Sequence, residues 1–275
     1  MAKQLRILSL GAGVQSSTLA LMIEHGDIPM VDGAIFSDTG NEPKQVYEWL
    51  EYLKSRVSYP IYVVRHGNLK EDSLKEKFLK LPVFLKQNDN SISFGRRQCT
   101  REYKITPVQK KIRELLGLKK GQRAPKNTKV ELLIGISKDE MVRVTRSRDW
   151  WIDNQYPLIF DKQFTRQNCL KWLEERQYPL PIKSACIFCP FHANADWLKI
   201  KNNQPEDWKE CVEFDKDIRY LYQEYALKHN KGDKFKGVTA YLHRSCTPLD
   251  EAELDPHKDQ MDMFNDICDE GMCGV

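Results

Sequence analysis

Two groups of residues in this chain have the types and spacing to do chemistry. The first is Gly11-Ala12-Gly13-Val14-Gln15-Ser16-Ser17, which joins a strand-like run to a helix-like one. Glycines in such a turn let the backbone approach a ligand, and the N–H groups that open a helix favour an anion. Ser16 and Ser17 add hydroxyl donors, so a phosphate or pyrophosphate site is the direct chemical reading. A plain strand-to-helix turn with a serine cap is the alternative. The second group is the cysteines, eight of them, at 99, 169, 186, 189, 211, 246, 268 and 273. Cys186-Ile-Phe-Cys189-Pro-Phe-His192 sets two thiols at a spacing that can chelate one metal centre, with an imidazole close behind. A redox pair or two buried apolar side chains would share that spacing. Cys169, in an apolar helical stretch, and Cys211 read as structural.

These residues need elements to hold them. Residues 5–10 are a short apolar run that ends at the glycine turn, and the stretch from Ser16 has helical spacing up to Gly26, a natural C-terminal cap. Residues 31–36 read as a second strand, broken by Asp38-Thr39-Gly40. Residues 43–54 then read as a second helix and 60–64 as a third strand. This alternation predicts a parallel sheet with helices on both faces. Beyond it, residues 86–97 read as a mobile loop, and 106–116 as an amphipathic helix with Val108, Ile112, Leu115 and Leu116 on one side. Residues 119–129 form a basic, turn-rich segment with five Lys or Arg, and 130–136 read as a strand. Residues 205–229 read as one long helix, and the last 25 residues as an acidic, partly unpacked tail.

Composition narrows the classes. The 275 residues are 41% apolar and 30% charged, which supports a packed core and argues against disorder. The net charge of +4 does not by itself mark a nucleic-acid binder, since clustering matters more than the sum. No apolar run has the length of a membrane span and no leader pattern opens the chain, so a soluble, cytoplasmic protein without a membrane partner is expected. In that compartment the cysteines serve chemistry or metal binding rather than a disulfide framework.

Three phosphate loops compete for residues 11–17. The Walker pattern needs Gly-Lys-Ser/Thr, which is absent. The dinucleotide fingerprint needs a third Gly or Ala where Ser16 stands, and Asp32 and Asp38 are the acids available to it. Residues 11–16 resemble a third loop, the pyrophosphate loop of ATP pyrophosphatases, with Gly11, Ala12 and Gln15 in place of its Ser, Gly and Asp. Gly13-Val14-Gln15 also resembles the Gly-x-Gln of phosphoadenosine phosphosulfate (PAPS) reductases. Four further segments follow in that family's order. Ser37-Asp38-Thr39-Gly40 resembles its Asp-Thr-Gly segment, and Cys99-Thr-Arg-Glu-Tyr-Lys104-Ile-Thr-Pro107 its Cys-x-x-x-Lys-x-x-Pro segment. Gly135-Ile136-Ser137-Lys138-Asp139-Glu140, with Arg143 beyond, resembles its Gly-Ile-Arg segment, and Tyr156-Pro157-Leu158-Ile159 its Pro-Leu-Ile segment. Over residues 5–190 the chain therefore resembles the PAPS reductase family of the PP-loop, adenine nucleotide alpha-hydrolase superfamily. Asp196-Trp197, Pro205-Glu-Asp-Trp208 and His243-Arg244 resemble uncharacterised, often phage-borne members.

The resemblance implies a doubly wound, mostly parallel α/β fold of Rossmann-like type. Residues 1–195 would form the nucleotide-binding domain and 196–275 a helical extension with a cysteine-bearing tail. An adenine nucleotide, ATP (with Mg²⁺) or PAPS/APS, would lie across the C-terminal edge of the sheet. Ser9, Gly11, Gly13, Gln15, Ser16 and Ser17 would cradle phosphate, with Asp38, Thr39, Gly40 and Gly135 beside the nucleotide. Asp38 could equally cap the following helix. Lys104 and Arg143 would neutralise phosphate or sulfate, Lys104 within the catalytic group. Ser137 stands where the family has Arg. Cys99 matches an iron–sulfur position of APS reductases, so Cys99, Cys186 and Cys189 would hold an iron–sulfur cluster or zinc, with Cys246, His192 or an open position fourth. The family's mobile tail makes Cys273 and Cys268 candidate catalytic thiols. Three activities remain open: adenylation-linked sulfur transfer, with tRNA or DNA as acceptor and a thioredoxin-like or desulfurase donor; sulfonucleotide reduction releasing sulfite; and nucleotide sequestration without turnover.

Overall fold

The apolar run near the N-terminus becomes the central strand of the molecule because both its faces are covered, as a parallel strand requires. The computed structural model describes residues 4–231 and 235–256. β1 (Gln4–Leu10), α1 (Val14–Glu24), β2 (Gly33–Asp38), α2 (Lys44–Lys54) and β3 (Ile61–Arg65) alternate as the sequence predicts, and a further helix, α3 (Leu69–Glu76), follows them. Then come β4 (Phe84–Lys86), β5 (Ile92–Phe94), a π-helical turn (Thr100–Ile105) running into α4 (Thr106–Leu115), and β6 (Lys129–Ile134). A 3₁₀ turn (Lys138–Arg143) precedes β7 (Ile152–Gln155), α5 (Pro157–Phe160) and α6 (Arg166–Glu175). The chain continues through α7 (Asn194–Asn203), α8 (Pro205–Asp217), α9 (Leu221–Lys228) and β8 (Thr239–Tyr241).

The main sheet has the order β3-β2-β1-β6-β7, all parallel. The chain winds outward from β1 to β3 and then returns to the other side of β1, so strand order reverses between β1 and β6. Ile7 sits in register between Gly33 and Leu132. One face carries α1, α2 and α6: α1 is buried from Val14 to Ile23, and α2 contributes Val46, Trp49, Leu50 and Leu53 at helical spacing. The other face carries α4, whose Val108 and Ile112 pack on Ile7, Ile35, Leu132 and Ile134. The fold is thus α/β with helices on both faces, followed by a largely helical C-terminal region.

A second apolar core joins residues on both sides of 195. Leu81, Val83, Leu85 and Tyr103 pack there with Phe188, Trp197, Phe214, Ile218 and Leu242. Two expectations are corrected in this region. The loop expected at 86–97 contains the inner part of a β-hairpin: β4 pairs antiparallel with β5, the rings of Phe84 and Phe94 meet at a tilt 4.6 Å apart, and β8 adds on the other edge. The polar run that suggests mobility is only its turn, closed by Asn90 at φ +63°. The long helix expected at 205–229 breaks after Ile218 into α8 and α9. The break frees the Arg219 carbonyl to accept the Ala240 N–H beside β8 (3.0 Å), while Asp215 takes the backbone N–H groups of Leu242 (2.7 Å) and Leu249 (3.1 Å).

Candidate functional site

Ligands in open α/β sheets bind where strand order reverses, outside the C-terminal strand ends. Here that point is the junction of β1, α1 and the end of β6. A Cβ on Gly135 would lie 2.6 Å from the Cα of Ser16 and 2.7 Å from its N, so only glycine lets the end of β6 rest on the first turn of α1. Gln15, fully buried, donates from Nε2 to Glu140 Oε2 (2.9 Å) and Ser137 Oγ (3.3 Å). Glu140 pairs in turn with Arg143, and both side chains are buried. A carboxylate of the chain itself therefore stands beside the first turn of α1, where N–H groups favour negative charge. Ser16 Oγ donates back to the Gly13 carbonyl (3.3 Å), and Ser17 Oγ accepts the Trp49 indole N–H (2.8 Å). Gly11, Gly13, Ser16 and Ser17 are all buried; the Ser16 hydroxyl is spent as a donor within the turn, whereas Ser17 Oγ serves Trp49 as an acceptor.

The open space lies beside this turn, on the α4 face. A cleft of about 640 Å³ is lined by Ser9, by Thr100, Arg101 and Lys104 of the π-helical turn, by α4, and by residues 145–149. Arg97, Arg101, Lys104, Arg146 and Arg148 line it against one acid, Asp149, whose carboxylate accepts from Gln109 Nε2 (2.7 Å). That imbalance suits a polyanionic ligand. Lys104 also borders two smaller spaces. One lies by Ser9, Gly11, Glu42 and Ser184, and the other is walled by cysteines. The wider π-helical turn ahead of α4, a local geometry common at functional sites, carries Lys104 to this junction.

At the end of β2, Asp38 is committed to the fold. It accepts from the Gly40 N–H (2.7 Å) and the Tyr47 hydroxyl (2.9 Å) and pairs with Arg65. Gly40 holds a left-handed φ of +80° against Asn68. Thr39 faces the cysteines instead: its Oγ1 lies 3.1 Å from Cys186 Sγ and donates to Glu42 Oε1 (3.2 Å).

Cys99, Cys186 and Cys189 line one pocket of about 40 Å³, shared with Thr39, Arg97, Thr100 and Lys104. Burial pushes all three thiols upward; the Glu42 charge adds to this at Cys186, whereas Lys104 and Arg97 oppose it at Cys99. At Cys189, too, two cations, Lys104 and Lys183, oppose the effect of burial. His192 and Cys246 do not join them. The His192 Nε2–H donates to the Cys186 carbonyl (3.0 Å) while the ring meets Trp197 edge-on, and burial holds the imidazole down at about 4. Cys246 lies among the charges of Lys86, Arg219 and Asp215. Among the described residues no group of three or more His, Cys, Asp or Glu is placed to hold a metal ion. Neither His192 nor Cys246 supplies the fourth donor of an iron–sulfur or zinc centre here, and the donor set among the described residues does not complete one. Cys268 and Cys273 lie outside the described residues.

Sequence reasoning misses Arg97, Arg101, Arg146, Arg148, Glu42 and Glu140. Arg101 and Glu140 sit inside the segments that carry the resemblance; Arg97 hides at the end of an apparent loop. Arg146 and Arg148 follow Arg143 in a stretch with neither helical nor strand period, so nothing in the pattern aims them at the cleft. No helix among the described residues is long and apolar enough to cross a membrane.

No family model matches the sequence, and no curated protein matches it. Among solved structures, this fold is similar to the crystal structure of phosphoadenylyl-sulfate (PAPS) reductase from Candida auris in its phosphate complex, with a TM-score of 0.44 and 14% identity. The alignment covers 66% of this chain and 76% of that one.

Proposed function

We propose that this chain is a PP-loop enzyme that binds an adenine nucleotide in the Lys104 cleft and carries out adenylation-linked sulfur transfer. The observation that carries this reading is the position of Lys104, at the meeting point of an arginine-lined cleft, the β1 turn and a pocket of three thiols. In such a reaction an acceptor oxygen attacks the α-phosphorus of ATP and pyrophosphate leaves. A sulfur nucleophile from a thiol or persulfide donor then displaces AMP, which carries that oxygen away. Lys104 and the arginines would hold the phosphate charge through charge-assisted hydrogen bonds. Gly135 and the Gln15–Glu140–Arg143 network would keep the turn beside them rigid.

A second reading, reduction of PAPS or APS with release of sulfite, draws on the same pocket, because thiols beside an anion cleft can attack sulfur held on a nucleotide. Calorimetric titration of ATP, PAPS and APS into wild type and Lys104→Ala separates the readings. One nucleotide should bind, and the substitution should weaken it roughly 10- to 100-fold, the loss of one or two hydrogen bonds to charge. AMP and pyrophosphate release with an acceptor supports adenylation; sulfite release supports reduction. Binding without either product points to sequestration, and no binding by any of the three overturns the nucleotide reading.

A further inference from the structure

The connection from β6 to β7 must return from the C-terminal edge of the sheet to its N-terminal edge, because the two strands are parallel. A helix usually makes that return. Here, below the turn Lys138–Arg143, residues 144–151 descend without one. The descent is pinned on both sides. The Tyr156 hydroxyl donates to the Thr145 carbonyl (2.7 Å), Asp149 accepts from Gln109 of α4 (2.7 Å), and Trp151 is buried in the core of that face. Between these anchors Arg146 and Arg148 are exposed, and Trp150 leaves 64% of its surface in solvent.

At the foot of this strap Trp150 opens onto a shallow groove of about 940 Å³ shared with Arg113, Gln122, Arg123 and Lys126. Arg113 organises it from below: its guanidinium donates to the carbonyls of Lys119 (3.4 Å) and Gln122, which fixes the basic segment as turns. Arg123 and Lys126 stand exposed, and neither they nor Arg146 and Arg148 meet an acid within ion-pair distance among the described residues. No carboxylate of the described residues lines the groove.

We propose that this strap and groove form a binding track for single-stranded nucleic acid, leading from Trp150 up past Arg148 and Arg146 to the cleft. Cations without counter-charges, strung along one path, match a backbone of repeated phosphates. An indole held out of the core by a buried neighbour is a stacking platform for an unpaired base; a duplex keeps its base faces covered. An acidic protein would satisfy the cations but leave the indole without a planar partner. The track does not depend on the nucleotide reading.

The test is fluorescence anisotropy of a labelled oligothymidylate of roughly 16 nucleotides, on wild type, Trp150→Ala and the double variant Arg123→Glu/Lys126→Glu. All three substituted side chains are exposed, and circular dichroism checks that the fold is kept. Trp150→Ala should weaken binding about 10-fold, as expected for one lost base stack. The charge-reversed variant should weaken it further and flatten its salt dependence. ATP titration of the same variants should be unchanged, which separates failure of the track from failure of the cleft. No binding by wild type, equal binding by all three proteins, or tighter binding of the matching duplex would each overturn the proposal.

Discussion

Arg143 and Arg123 are both cations on the β6–β7 side of the sheet, yet they live under opposite rules. Arg143 is buried and tied to Glu140, which Gln15 holds against α1. Its neighbour Arg97 is drawn below the usual guanidinium range, chiefly by burial. Arg123 and Lys126 stand in solvent, with no acid among the described residues lining their groove. Taking a cation out of water costs several kcal/mol unless partners replace the solvent, so buried cations are held in fixed geometry. Such a region suits one small ligand of defined shape. Exposed cations carry no such penalty and act through their summed field, which salt screens. That region suits a long, repetitive polyanion.

The strongest way to break this contrast is at the rigid end. Gly135→Ala would drive a methyl into the Ser16 backbone, and a loss of about 3 kcal/mol is expected in urea unfolding. An unchanged midpoint would mean that the upper region yields, and that its cations are not fixed. The wall behind the thiols gives a comparable effect through pH. His192 is held at about 4 against an ordinary 6.5. The contribution of its neutral form is therefore complete above pH 6.5 and is lost as pH falls through about 4, on the order of 3 kcal/mol in all. In His192→Gln that part of the pH dependence should disappear from the unfolding free energy; a profile parallel to wild type would remove His192 as its cause.

Salt sharpens the other side. For about four phosphate contacts, oligonucleotide affinity should fall roughly 50-fold between about 50 and 200 mM salt. Nucleotide affinity in the half-buried cleft should change much less, and equal slopes would erase the distinction. The smallest effect belongs to Arg113→Ala, which unties the carbonyls of Lys119 and Gln122. Stability should drop by about 1 kcal/mol or less, with faster amide exchange confined to the basic segment. Protection unchanged there would mean that the groove is not preformed by Arg113.

The two regions also differ in how well they could be read beforehand. β1 to β3 and the two helices between them announce themselves because each strand is an apolar run closed by Gly or Asp-Thr-Gly, α1 is an apolar stretch capped by Gly26, and α2 keeps a helical period. Cys99, Cys186 and Cys189 line one pocket, but neither expected fourth donor joins them: His192 braces the Cys186 carbonyl, and Cys246 lies beside Lys86, Arg219 and Asp215. The hydroxyls of Ser16 and Ser17 look alike as phosphate donors in sequence, yet Ser16 donates back to Gly13 while Ser17 accepts from Trp49. The second core was largely hidden. β4, β5 and β8 have three residues each, too few to show alternation, and their pairing is set by partners far away in the chain. The strap was invisible for a different reason: a descent without a helix has no period to detect.

Leu85 is in register with Ala240, so one edge of the small sheet is closed by residues separated by more than half the chain. Contacts of such long range form slowly, because the intervening chain must first be brought to order. The parallel sheet has shorter-range pairings for its first three strands and can condense earlier during synthesis. Cys186 and Cys189 border the core that β8 completes, and Cys99 packs against it. In a growing chain the cation cleft takes shape while the three thiols are still open to solvent. Their exposure to oxidants, and to anything that captures a thiol, is therefore greatest before β8 docks.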